Sequence, residues 1–251
     1  MESIQITQVA VVRLPLRSRF RGIDYREALI FKGSQRYSEF SPFLEYEDDE
    51  AATWLRAALE FANSPLPEPK RQLIPINATL PAVRPDQVVE TLEAFGQFQT
   101  IKIKVAEVGQ DLDQDLARIA QAHKSFPDAN LRLDANGNYS VAQAMKIIRA
   151  IADYPIEYFE QPVASISELV ELRTQLAAAE IPMKIAADES IRKQSDPLEV
   201  AAAGAADIAV LKVQPLGGIT RSLAIASESG LASVVSSALE SSIGISHGLH
   251  L

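Results

Sequence analysis

A rhythm that begins near residue 74 limits what this chain can become: short apolar runs alternate with amphipathic helical segments. The runs are LIPINATL (73–80), TIKIKVAE (100–107), LRLDAN (131–136), YFEQP (158–162), KIAADE (184–189), IAVLKVQP (208–215) and ASVVSSALE (232–240). Between them lie the helical patterns PDQVVETLEAFG (85–96), DLDQDLARIAQAHKSF (111–126), VAQAMKIIRAIADY (141–154), ISELVELRTQLAAAE (166–180) and LEVAAAGA (198–205). Strand and helix in alternation give right-handed βα units and a parallel sheet. A closed (β/α)8 barrel and an open doubly wound sheet both satisfy the pattern. No glycine-rich phosphate fingerprint opens any unit, which counts against the nucleotide-binding open sheets.

Residues 1–73 have another texture. IQITQVAVVRLPL (4–16) and REALIFKG (26–33) read as strands, with RSRFRGID (17–24) a polar loop between them. DDEAATWLRAALEFANS (48–64) has helical period, with Ala52, Leu55, Leu59 and Phe61–Ala62 near one face and three acids at the positive end of the dipole. PLPEPKRQ (65–72) is a proline-rich connector. The expected organisation is an α+β domain over residues 1–73 and a barrel domain over 74–251.

The ionisable residues mark where chemistry belongs. Lys104, Asp134, Glu160, Asp188 and Lys212 end successive runs, at steps of 30, 26, 28 and 24 residues. A barrel unit takes roughly 30 residues, and barrel enzymes keep their chemistry at the C-terminal ends of the strands. Taken alone, Lys102 and Lys104 read as the polar face of an exposed edge strand. In a parallel sheet covered by helices a charged side chain has no inexpensive place except the barrel mouth, so both lysines belong to a site. Three carboxylates converging from neighbouring strands repel one another unless a cation sits between them, and a hard-oxygen set without His or Cys selects Mg2+ or Mn2+. Asp134 in DANG also suits an Asx turn, and Asp188 in DES a helix cap. Glu189 faces away from Asp188 in an ideal strand. A lysine held near other cations and partly desolvated has its pKa lowered, so it can serve as a base. The residues themselves lead to metal-assisted removal of a proton next to a carboxylate, with the charge gathering on oxygen.

Composition narrows the classes. The 251 residues carry a net charge of -9, which argues against a nucleic-acid or anionic-membrane surface. There is no cysteine, so disulfides, thiolate metal sites and cysteine nucleophiles are excluded. The N-terminus alternates polar and apolar residues, as a strand does and a signal peptide does not. No stretch is long and apolar enough to span a bilayer, so a cytoplasmic enzyme or binding protein is expected.

The stretches EFSPFLEYEDDEAATWL (39–55), TIKIKV, LRLDANGNY, YFEQP, ADES, LKVQPLGGI and SSALESSIG resemble the enolase superfamily, in particular its lysine-base, muconate-lactonizing-enzyme-like branch. Within that branch they are most similar to the dehydratases of menaquinone and phylloquinone biosynthesis. The resemblance implies a Mg2+ held by Asp134, Glu160 and Asp188, with Lys104 as the base and Lys102 orienting it. It implies that Lys212 steadies the enediolate from the other face of the substrate. The substrate would be a cyclohexadiene carboxylate bearing a hydroxyl and a succinyl chain, which loses water to become aromatic. Residues 1–73 would cap the barrel, with the 17–24 loop closing over the site, and Arg132, Ser236 and Ser237 would contact substrate carboxylates. Read as structure instead, Arg132 is an ion-pair partner and the serines are small packing residues. His123 sits in a helical stretch on the surface, while His247 and His250 belong to no motif.

The family's barrels continue through an eighth strand, whereas seven are counted here before HGLHL. An incomplete barrel, a gap filled by neighbouring copies in a homo-oligomer, and a sequence that stops short of the natural end are the three alternatives. Two other functions stay open: an N-succinylamino-acid racemase or dipeptide epimerase, using the same pair of lysines, and a non-catalytic remnant.

Overall fold

The computed structural model describes residues 4–20, 22–193 and 196–251. Ten strands are present among them: β1 (Thr7–Phe20), β2 (Ile23–Lys32), β3 (Tyr37–Phe40), β4 (Asn77–Leu80), β5 (Thr100–Lys104), β6 (Asn130–Asp134), β7 (Ile156–Glu160), β8 (Ile185–Ala187), β9 (Ile208–Leu211) and β10 (Ala232–Val235). The helices are α1 (Asp48–Asn63), α2 (Val88–Glu93), α3 (Leu112–Ser125), α4 (Val141–Ala150), α5 (Ile166–Ala178), α6 (Glu189–Arg192), α7 (Glu199–Ala202), α8 (Val213–Leu216), α9 (Ile219–Ser229) and α10 (Ser242–Leu249). β4 to β10 form one seven-stranded sheet in sequence order, parallel in every pair from β4 to β9. Among the described residues this (β/α) barrel sheet has seven strands, and a separate antiparallel sheet has the order β1-β2-β3. The chain resolves into two compact units. One comprises Met1–Gln72, Leu211–Glu228 and Ser233–Leu251; the other comprises Leu73–Val210 and Ser229–Ala232.

In the second unit the strands are short, and three helices are started by side-chain caps. Asp111 with Gln114, Ser140 with Gln143, and Ser165 with Glu168 form reciprocal capping boxes at the starts of α3, α4 and α5. Each box satisfies backbone donors that the first helical turn leaves open. α4 then buries Val141, Ala144, Met145, Ile147 and Ile148, the stripe its period requires. Two of the apolar runs shorten: Leu73, Ile74 and Ile76 are exposed and outside β4, and β10 ends at Val235 instead of reaching Glu240. The KIAADE run also splits, since β8 stops at Ala187 and Asp188 is already the residue before α6.

In the first unit, residues 17–20 continue β1 instead of forming a loop, and Phe20 pairs with Ile23 across the hairpin. Gly22, at φ 76°, takes the left-handed backbone a tight hairpin turn requires. Arg21 lies outside the described residues. α1 buries Trp54, Ala57, Ala58, Phe61 and Ala62, while Ala52 and Leu55 are exposed. Its buried face is phased by alanines packed on Phe31, which hydropathy alone ranks below the leucines.

Three contacts tie the C-terminal segments into this unit. Glu60 accepts from the backbone N–H groups of Ile219 (2.7 Å) and Thr220 (3.1 Å) at the start of α9. A Cβ on Gly218, at φ 129°, would overlap that carboxylate, which accounts for the second glycine of LGGI. Buried Glu39, on β3, accepts from Ser41 Oγ at 2.7 Å, from the backbone N–H of Gly244 at 3.0 Å, and from Ser241 through its backbone and its hydroxyl. His247 is fully buried, stacked on Phe61 at 3.9 Å between centroids, with Nε2 3.2 Å from Ser38 Oγ. His123, by contrast, is half-buried and tilted against Tyr154 at 5.0 Å, so it is not a surface side chain.

Burial, with smaller contributions from His250 and Arg36, lowers the His247 pKa to about 3. The folded state thus binds this proton less readily than the unfolded chain, whose histidine titrates near 6.5. Stability from this group is complete above pH 6.5 and falls as the pH drops toward 3, by about 2 kcal/mol at pH 5. Thermal melts from pH 7 to pH 5 should show this loss in the parent, with a shallower slope in His247→Gln.

Candidate active site

β5 is an interior strand, flanked by β4 and β6, so the edge-strand account of its lysines does not hold. Register sets Lys102 beside Arg132 and Lys104 beside Asp134; on the next strand Arg132 meets Tyr158 and Asp134 meets Glu160. Side chains two residues apart share a face of a strand. The result is a pair of rows across three strands, with the upper row at the C-terminal ends.

The charges in those rows neutralise one another. Lys102 Nζ donates to Glu160 Oε1 at 2.6 Å and lies 2.9 Å from Asp134 Oδ2. Lys104 Nζ donates to the same Asp134 oxygen at 2.5 Å and to Asn136 Oδ1 at 2.8 Å. Asp134 Oδ1 accepts from the Asn136 backbone N–H at 3.1 Å, the Asx turn that DANG suggested. Asp134 and Glu160 are each 1% exposed and Asp188 is 0% exposed. Burial by itself would raise the pKa of Asp134, but Lys102 and Lys104 more than reverse this and hold it far below the carboxylate range. Burial likewise opposes the charge on Lys102, yet Asp134, Glu160 and Asp188 outweigh it and raise its pKa well above the usual lysine value. The lowered lysine pKa expected from neighbouring cations is therefore reversed at Lys102: its contacts are carboxylates. Lys102 stays an ammonium, suited to orienting an anion and unsuited to abstracting a proton.

Asp188 adjoins this group just past the end of β8. Arg192 Nε reaches its Oδ1 at 3.2 Å, and Arg192 Nη2 donates to Glu189 Oε1 at 2.8 Å. Asp188 makes no side-chain cap bond to α6, so the capping role does not apply. Glu189 Oε1 also accepts from Asn136 Nδ2 at 3.3 Å, while its Oε2 is buried without a hydrogen-bond partner. Arg132 forms an ion pair with Glu157 at 2.5 Å and lies over the Tyr158 ring, and burial pushes the Tyr158 hydroxyl up to about 12. Lys212 is the N-cap residue of α8, and Ser236 donates its backbone N–H to Leu211 O at 2.8 Å, with Ser237 exposed beside it. Lys212, Ser236 and Ser237 belong to the other compact unit.

Among the described residues no three His, Asp or Glu side chains are gathered around a point ready for a metal ion. The donor chemistry nevertheless fits a hard dication. Three buried carboxylates stand at the ends of successive strands, and cations from lysine and arginine already compensate them. Carboxylate oxygens of this kind are the donors a hard divalent cation prefers.

Several supporting residues have no local signal. Gln161, fully buried at φ 36°, accepts at Oε1 from the backbone N–H groups of Asp188 and Ser190, both at 3.1 Å, and donates to Val163 O and Ser190 Oγ. It ties the end of β7 to the end of β8. Asn136, Arg192 and the pair Asp115–Arg118 also escape a reading by strand ends. Asp115 and Arg118 in particular have the spacing of an ordinary surface ion pair.

With the geometry in place, similarity to known proteins becomes decisive. Residues 85–251 match the enolase C-terminal domain-like family and residues 11–62 the enolase N-terminal domain-like family. The chain belongs to the enolase superfamily. It is an enzyme of that superfamily, 50% identical over 245 residues to an o-succinylbenzoate synthase of Mycolicibacterium smegmatis, which covers 97% of this chain and 74% of that one. A protein of the same name from Mycobacterium tuberculosis is 48% identical over the same share of this chain and 73% of its own. A solved substrate-liganded complex of the L-Ala-D/L-Glu epimerase from Bacillus subtilis superposes with a TM-score of 0.82 at 23% identity, covering 100% of this chain and 86% of that one. That likeness is one of fold. No helix among the described residues is long and apolar enough to cross a membrane.

Removing Lys102 would leave two buried carboxylates short of their compensating charge. Lys102→Met, measured in chelator by denaturant unfolding, should lose about 3–5 kcal/mol.

Proposed function

We propose that the chain is an o-succinylbenzoate synthase, a lyase converting 2-succinyl-6-hydroxy-2,4-cyclohexadiene-1-carboxylate to the aromatic product by syn loss of water, in menaquinone or phylloquinone biosynthesis. The observation that carries the reading is identity of about half with synthases of that name along 97% of the chain. The buried lysine–carboxylate rows supply the chemistry. Lys104 takes the proton α to the substrate carboxylate, and the C–H electron pair moves onto the carboxylate oxygens as an enediolate. Collapse of that enediolate breaks the C–O bond on the same face, and the Lys104 ammonium returns its proton to the departing hydroxyl as water. Lys102, held charged, fixes the substrate carboxylate and Lys104. Lys212 contributes its positive charge to the enediolate. Arg132, Ser236 and Ser237 are assigned to substrate carboxylates. Asp134, Glu160 and Asp188 would hold Mg2+, which when bound supplies charge neutralisation for the enediolate oxygens.

Dehydration of the cyclohexadiene substrate, followed by ultraviolet absorbance of the aromatic product, tests the reading. Lys104→Ala should lower kcat by at least a hundredfold to ten-thousandfold. Exchange of the α-proton of N-succinylamino acids without any dehydration would replace the reading with a racemase. Millimolar Mg2+ should raise the melting temperature of the parent, and Glu160→Gln should abolish that rise.

A further inference from the structure

Outside the rows of charge, the second unit holds another buried polar cluster that the chemistry does not use. Arg118 and Asp115, each 1% exposed, pair at 2.7 Å on one face of α3. A buried ion pair contributes little net stability compared with an apolar pair of the same volume. What this pair holds is more informative. Arg118 donates to the carbonyl of Lys104 at 2.9 Å, to the carbonyl of Val83 at 2.8 Å, and to the Gln110 side chain, which in turn donates to Ala82 O at 2.7 Å. Asp115 Oδ2 accepts from the backbone N–H of Ala106 at 2.9 Å and from the Tyr139 hydroxyl. Tyr139 itself bridges to Val163 beyond β7.

One carboxylate and one guanidinium thus bind the backbone on both sides of Val105, immediately after Lys104, and join it to the segments following β4 and β6. Ala106 sits at φ 59°, a left-handed conformation costly for a residue with a Cβ. Its N–H bond to Asp115 holds it there, which ends β5 at Lys104. Burial, then the contact with Asp115, drives the Tyr139 pKa far up, so its hydroxyl remains a donor.

We infer that Asp115, Arg118 and Tyr139 are positioning residues: they lock the backbone at the end of β5 so that Lys104 Nζ is held at the height of Asp134 and Asn136. The inference rests on Lys104 being the base in the function proposed above. The three residues act through the Lys104 carbonyl and the turn that follows it. Reactions by a positioned base lose up to about a hundredfold in rate when the geometry slips by an ångström.

The test uses the full chain carrying Tyr139→Phe, which deletes one hydroxyl, or Arg118→Lys, with Tyr154→Phe as a phenol deletion outside the cluster. Two readouts are taken on protein whose thermal melt shows it folded. The first is kcat and KM for dehydration. The second, free of metal and substrate and at one fixed pH, is the 13C resonance of reductively dimethylated Lys104, assigned by its absence in Lys104→Arg. In Tyr139→Phe, kcat should fall about tenfold with KM within a factor of two, and further in Arg118→Lys, while the Lys104 resonance shifts and that of Lys146 stays in place. Tyr154→Phe should change neither. A Lys104 resonance at its parental position in both cluster variants overturns the inference, as does a rise in KM with kcat unchanged. If the parent does not dehydrate the substrate but the Lys104 resonance still responds, the positioning stands and the proposed function falls.

Discussion

Charge buried in the interior of a parallel sheet must be balanced within that interior, and this requirement organises the second unit. Lys102, Lys104, Asp134 and Glu160 occupy adjacent rungs of β5, β6 and β7 because parallel register places them side by side. No one of these groups could keep its charge there alone, since isolated ions in a low-dielectric interior neutralise. Side by side, Lys102 and Asp134 each favour the other's charged form, as their opposed pKa shifts require. The same arrangement presents donors suited to a substrate carboxylate and acceptors suited to a dication.

Holding such rows in register falls to polar groups at the strand ends. Gln161 joins β7 to β8, and the Asp115–Arg118 pair joins the segments after β4, β5 and β6. Both use side chains to satisfy backbone groups in turns with left-handed residues, at Gln161 and Ala106. Backbone strain of that kind persists where the surroundings over-determine it. In the first unit Glu39 and Glu60 do similar work on helix starts, capping α10 and α9 from β3 and α1, far away in sequence.

Much of this was legible beforehand. The alternation after residue 74 implies the parallel sheet, and the strand-end spacing picks out Lys104, Asp134, Glu160, Asp188 and Lys212. What was missed has a common cause. α9 and α10 have no pattern strong enough to stand out, the helical period of α1 groups Ala52 and Leu55 with Phe61 and Ala62 although only the last two are buried, and residues 17–20 have the polar texture of a loop; each depends on a partner element that no local window contains. His247 had no motif because its role is to fill a space between Phe61 and Ser38.

The sequence by itself determined period, capping and the order in which ionisable groups arrive at strand ends, because these follow from bond geometry and neighbours a few residues apart. Only the tertiary structure decided the direction of the Lys102 pKa shift, the burial of the Asp115–Arg118 pair and the engagement of Arg132 by Glu157. Those outcomes turn on which charges lie within a few ångströms once strands far apart in the chain are set side by side, and electrostatic energy depends on that distance and on the surrounding dielectric, not on separation along the chain.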